Sequence, residues 1–123
     1  MQTVRRRHHD LQAWQVAMSL AGEAYELTGK FPREELYGLT NQIRRSAVSA
    51  PSNIAEGAAR AGTKEFLHYL NIARASLSEL ERQVLLARDL GFADDKSFTS
   101  ISETLDHAFG VIGGLINSLK KRI

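Results

Sequence analysis

Cysteine is absent from the 123 residues, which excludes disulfide bridges, thiolate metal sites and cysteine nucleophiles. Proline occurs twice, at Pro32 and Pro51, so long helices can form with few interruptions. No window alternates apolar and polar residues with period two, so no strand is expected. A membrane-spanning helix needs about 20 apolar residues. The longest apolar run here, Ala108 to Ile116, is short and punctuated by glycine. Arg5-Arg6-Arg7 leads into a polar amphipathic segment instead of a secretory signal, so a soluble, cytoplasmic protein is expected. The length suits one domain with its own core.

Charge is scarce overall and uneven in placement. The formal net charge is only +2, from 16 basic and 14 acidic residues. Arg5, Arg6, Arg7, Lys120, Lys121 and Arg122 account for six of the basic residues. The ten that remain against 14 acidic ones leave the body at −4. Basic character is therefore concentrated at the two chain ends.

What is present is helical periodicity. The first helix is expected to begin at Asp10, a good N-cap, and to run to Thr28 before Gly29. Its core seam reads Leu11, Trp14, Met18, Ala21 and Tyr25. Val16, Leu20 and Leu27 form a second apolar stripe, which reads as an oligomer interface. A second helix is expected from about Arg33-Glu34, because Leu36, Leu39, Ile43, Ala47, Ala50, Ile54 and Ala58 keep phase across Pro51. It should be one helix kinked at the proline. Thr63 is expected to cap the third helix, which carries Phe66, Leu70, Ala73, Leu77, Leu80, Val84 and Ala87 and ends at Gly91. The fourth starts near Asp94-Asp95 and continues through Leu119. Four amphipathic helices with short loops give an all-α, antiparallel up-down four-helix bundle over residues 10–123, preceded by a basic flexible arm over 1–9.

The stretch Ser49 to Arg60, SAPSNIAEGAAR, is unusual inside a helix, since proline and glycine both cost stability there. Small residues there allow close helix approach, and the polar ones then need partners. Asn53, Glu56, Arg60 and Arg74 are read as a structural polar network. In it Glu56 pairs with Arg60 or Arg74, and Asn53 satisfies backbone freed by Pro51.

Metal and catalytic patterns are weak. Glu65 and His68 have the Glu-x-x-His spacing of di-iron bundles, but that chemistry needs two such motifs plus two further carboxylates facing inward. Both lie off the seam, as do Glu103 and His107. His8-His9 belongs to the basic arm. Gly110, Gly113 and Gly114 lie mid-helix and are expected to let the fourth helix pack closely on Ala17, Ala21 and Gly22. There is no phosphate-binding glycine loop and no nucleophile triad, so no enzyme, metal or cofactor is expected.

Three segments, LQAWQVAMSLAGEAYELTGKFP, LTNQIRRSAVSAPSNIAEGAAR and FLHYLNIARASLSELERQVLLARDLG, resemble the bacterial four helix bundle protein family, also called the 23S rRNA intervening-sequence protein family. The resemblance runs from Leu11 into the fourth helix. It implies a cytoplasmic bundle that assembles as a homopentamer. A branch similar in fold, the accessory protein of diversity-generating retroelements, binds nucleic acid and a reverse transcriptase.

Antiparallel topology brings both chain ends to one end of the bundle, so their charges sum. Five copies would gather about thirty such charges, and phosphate affinity grows with the number of phosphates neutralised. The expected function is non-enzymatic binding of RNA or DNA through phosphates by Arg5, Arg6, Arg7, Lys120, Lys121 and Arg122, joined by Arg44 and Arg45 where they face outward. No aromatic residue interleaves these arginines, so base stacking is not expected. The alternative is a structural or protein-interaction scaffold with no nucleic-acid role.

Overall fold

The computed structural model describes residues 6–123; Arg5 lies outside them. A 3-10 turn over Arg7–Asp10 precedes α1 (Gln12–Thr28). A second 3-10 turn over Arg33–Glu35 leads to α2 (Leu39–Ala58), followed by α3 (Thr63–Asp89) and α4 (Asp95–Lys120). Each helix packs on two neighbours in the cyclic order α1, α2, α3, α4, and the backbones of the diagonal pairs make no close approach. Among the described residues there is no strand and no helix long and apolar enough to cross a membrane.

The helix boundaries follow their local chemistry. Asp94 is the N-cap of α4, its carboxylate accepting the Ser97 amide at 2.7 Å. The end of α3 depends on Gly91, whose φ of +81° only glycine adopts cheaply. That geometry lets Phe92 N–H reach the Ala87 carbonyl at 2.9 Å and Gly91 N–H reach the Arg88 carbonyl at 3.0 Å, closing the last carbonyls. Three expected starts move. Asp10 falls inside the first 3-10 turn, leaving Leu11 as the N-cap of α1. Thr63 is the first residue of α3, and its cap is Gly62 with no side chain to offer. The segment from Arg33 is a separate turn, and α2 begins only at Leu39, where Glu35 Oε1 accepts its amide at 3.1 Å.

The core is built from Leu20, Ile43, Ile54, Leu70, Leu77, Leu80, Ile101, Leu105, Ile112 and Ile116, all fully shielded from solvent. On α1 the buried face reads Ala13, Ala17, Leu20, Ala21, Ala24 and Leu27. This departs from the expected seam in part: Ala21 is buried and Leu11 and Trp14 pack partly against the core as expected. Met18 and Tyr25 are 46% and 47% exposed, whereas Leu20 and Leu27 are core residues and Val16 packs partly against the core. Leu20 and Leu27 therefore have no surface to offer a second subunit. The inward residues lie one position before Trp14, Met18 and Tyr25, a rotation of about 100°. Alanine on the inner face brings α1 close to its neighbours, while side-chain size points to the wrong stripe.

α2 runs unbroken through Pro51, whose ring is buried. The Asn53 amide donates to the Ser49 carbonyl at 2.9 Å and to Ser49 Oγ at 3.1 Å. It thus serves the turn after the carbonyl that Pro51 leaves without an amide, which is that of Ala47. From Ser49 a hydroxyl chain crosses to α3. Ser49 Oγ lies 2.8 Å from Ser76 Oγ, which donates to the Ile72 carbonyl at 3.2 Å.

Glycine acts as a spacer at one helical position. A Cβ on Gly57 would stand 2.8 Å from Tyr69 Cβ and 2.9 Å from Phe66 Cδ1, below any ordinary carbon contact. The expected close packing of α4 on α1 through Gly110, Gly113 and Gly114 is absent. A Cβ at any of them, or at Gly22, meets nothing within 4 Å. Contact between those helices uses other side chains, including Thr104 Oγ1, which donates to Glu23 Oε1 at 2.6 Å.

The N-terminal turn is pinned by rings. His8 and His9 pack edge-on at 4.4 Å between centroids and reach Trp14 at 4.9 and 5.1 Å. Gln15 donates to the His9 carbonyl at 2.8 Å, and His9 Nδ1 accepts the Arg6 amide at 2.9 Å. The described part of the expected flexible arm is therefore a packed turn. Partial burial holds the His8 imidazole below its ordinary value of 6.5, helped by repulsion from His9 and Arg6.

Two measurements test this packing. Gly57→Ala should destabilise the protein by about 1–3 kcal/mol, because overpacking outweighs its better helix propensity. Gly110→Ala should stabilise by up to about 1 kcal/mol. Denaturant midpoints at equal m-values decide both, and a stabilised Gly57→Ala would disprove the close contact. Because the folded turn lowers the His8 pKa, the unfolded turn takes its proton at higher pH. The stability of the turn is complete above about 6.5 and declines as pH falls below that value. Emission from Trp14, the only tryptophan, should change with a midpoint below 6.5, and His8→Gln should remove that midpoint. A midpoint at 6.5 or above would contradict the packing.

Candidate nucleic-acid interface

One end of the bundle gathers the N-terminal turn, the α2–α3 connection and the end of α4. Gly57 fixes this arrangement, since its missing side chain seats Phe66 and Tyr69 of α3 directly on α2. Arg7 Nη1 then donates to the Ala58 carbonyl at 3.1 Å, and its guanidinium lies 5.6 Å from the Phe66 ring centroid. A cation on a carbonyl in the last turn of α2 also opposes that helix's dipole favourably.

Arg60 leaves the same end of α2. Its Nη2 donates to Glu56 Oε2 at 3.1 Å and to the Tyr69 hydroxyl at 3.0 Å, with the guanidinium 5.1 Å from the Tyr69 ring centroid. The Glu56–Arg60 pair is about half exposed and contributes little by itself. Arg60 Nε is shut off from solvent and meets no acceptor among the described residues.

Arg122 approaches from the other chain end, two residues beyond α4. Arg7, Arg60 and Arg122 line one cleft of about 30 Å³, together with Gly62, Thr63 and Phe66. Among the described side chains no carboxylate lines it. Arg6, Lys120 and Lys121 are exposed beside it in sequence. Arg5 lies outside the described residues.

The other candidate residues lie elsewhere. Arg44 Nε donates to Thr28 Oγ1 at 2.8 Å, and its guanidinium stands 4.6 Å from the Tyr25 ring centroid. That places it at the C-terminal end of α1, far from Arg7, with its charge used inside the chain. Arg45 is exposed along the polar groove between α2 and α3. Neither joins the basic end. Asn53, Glu56, Arg60 and Arg74 form no single network: Asn53 bonds Ser49, Glu56 bonds Arg60, and Arg74 Nη2 bonds Asn71 Oδ1 at 2.8 Å. Glu65, His68, Glu103 and His107 are exposed. Among the described residues no group of three or more histidine, aspartate or glutamate side chains is arranged to hold a metal.

Sequence reasoning missed two features. Arg60 joins the terminal cations, which is legible only from its place two residues before Gly62 at the start of α3. Trp14, Met18, Val48, Pro51 and Ala55 line an apolar groove of about 320 Å³ between α1 and α2. Side-chain size, which places Trp14 and Met18 in the core, conceals that groove in the sequence.

Comparison with known proteins agrees with this architecture. Among solved structures the chain is similar to a protein with unknown function from the S23 ribosomal protein family of Bacteroides thetaiotaomicron. The TM-score is 0.79 at 21% identity, covering 85% of this chain and 97% of that one. At such identity the likeness concerns the fold alone. No curated protein matches. The family described as 23S rRNA-intervening sequence protein matches residues 9–114, which takes in all of α1, α2 and α3 and most of α4. The chain belongs to the 23S rRNA-intervening sequence protein family.

Proposed function

We propose that this protein is a non-enzymatic, cytoplasmic bundle that binds RNA or DNA through backbone phosphates at its basic end. One observation carries the reading: Arg7 from the N-terminal turn and Arg122 from the C-terminal tail line the same cleft, beside Lys120 and Lys121. The rest of the chain is net acidic, so its sides repel phosphates while this end attracts them. The interaction is with phosphate, so binding is tolerant of sequence and steeply dependent on salt.

A second reading concerns assembly. The groove between α1 and α2 exposes Met18 at 46% and Val48 at 43%, with Trp14 partly covered beside them. We infer that this groove, in place of the Val16–Leu20–Leu27 stripe, is the contact between copies in a homo-oligomer, a pentamer on the family resemblance. Cyclic symmetry then sets every basic end on one face. A reverse transcriptase as further partner rests on the same resemblance.

Two experiments test these readings. Replacing Arg7, Lys120, Lys121 and Arg122 by glutamine should lower the slope of log affinity against log salt by roughly 3, at about 0.7–0.9 for each phosphate no longer neutralised. An unchanged slope and affinity for both generic RNA and duplex DNA would remove the proposed site. Light scattering at micromolar concentration should report an oligomer for the wild type and a smaller species for Met18→Glu. A monomeric wild type, or an unchanged oligomer in the variant, would rule out this groove.

A further inference from the structure

We propose that Arg7, Arg60 and Arg122 form a dedicated seat for one phosphate group at the start of α3, beyond a diffuse attraction of the basic end. The proposal rests on the nucleic-acid reading for what carries the phosphate, and on the geometry of the cleft for the seat itself. Three arginines from three separate parts of the chain line one cleft, and among the described side chains no carboxylate lines it with them. Glu56 occupies only Nη2 of Arg60. Arg60 Nε is shut off from the cleft as well as from water, so the seat draws on the outer nitrogens of a side chain that is otherwise 40% exposed.

The backbone adds donors at the same place. Gly62 gives α3 no side-chain cap, so the first-turn amides beside the cleft have no side-chain acceptor. α3 is 27 residues long, and the positive end of its dipole faces the cleft through Gly62 and Thr63. At about 30 Å³ the cleft has room for a phosphoryl oxygen and none for a base or a sugar. Such a seat grips a phosphodiester in passing and reads no sequence. Its specificity is for the planar fork of arginine, which pairs two phosphate oxygens at once, and a lysine's point charge does not replace it.

Arg122 allows a clean test, because it reaches the cleft from beyond the last helix. Arg122→Lys keeps the charge and removes the fork; Lys121→Gln removes a neighbouring charge outside the cleft. Affinities for a single-stranded RNA oligonucleotide and for duplex DNA are measured as a function of salt, with thermal melts to check folding. The seat predicts that Arg122→Lys weakens binding roughly tenfold with little change in salt slope. Lys121→Gln should weaken it less and lower the slope by about 0.7–0.9. Inorganic phosphate, at constant ionic strength, should compete with the oligonucleotide on the wild type and much less on Arg122→Lys. If Arg122→Lys binds like the wild type while the fourfold glutamine variant loses affinity, the seat is wrong and the broader basic-end reading stands. If phosphate raises the melting temperature of the wild type alone but neither nucleic acid binds, the seat is kept and the nucleic-acid reading falls. If phosphate has no effect and Arg122→Lys matches the wild type, the seat does not exist.

Discussion

The structure depends on the contact of Gly57 with Phe66 and Tyr69. Without a side chain at that point, α2 and α3 approach until the Tyr69 Cβ and the Phe66 ring occupy the space a Cβ would need. Everything at the basic end follows from that approach. Phe66 becomes the surface beneath Arg7, Tyr69 becomes the hydroxyl that steadies Arg60, and the short α2–α3 connection brings Gly62 beside both. One absent methyl group thus sets the position of two charges.

The SAPSNIAEGAAR segment makes sense around the same contact. Gly57 is there for proximity, Glu56 and Arg60 form a pair one turn apart, and Asn53 and Ser49 begin the hydroxyl chain to Ser76. Pro51 serves the opposite side of the helix, where its ring lines the α1–α2 groove with Trp14 and Met18. Costs that look unrelated in sequence are distributed over two faces of α2. One face binds α3 tightly and the other is left open.

Much of this fold was legible in the sequence, because α2, α3 and α4 carry large aliphatic residues at helical spacing and their burial follows that spacing. The face of α1 was not, because alanine carries the packing there, and a small side chain gives a weak signal against Trp14, Met18 and Tyr25. The glycines of α4 misled in the opposite sense, since glycine within a helix suggests close approach where the structure has open space. The meeting of the two basic ends followed from helix parity. The recruitment of Arg60 did not, since a charge in a helix has no direction until the packing of its helix is known. Arg44 shows the same limit: its charge is spent on Tyr25 and Thr28 across the α1–α2 interface.

The interface between α2 and α3 is the most extensive in the bundle, and only four residues separate the two helices. Loop closure over so short a span costs little chain entropy, so this hairpin is the least expensive pair of helices to bring together. Gly57 and Phe66 are nine residues apart, which makes their contact local in sequence as well as tight in space. The order of assembly therefore favours a hairpin whose turn already carries Arg60 and the open end of α3, with α1 and α4 docking onto it later.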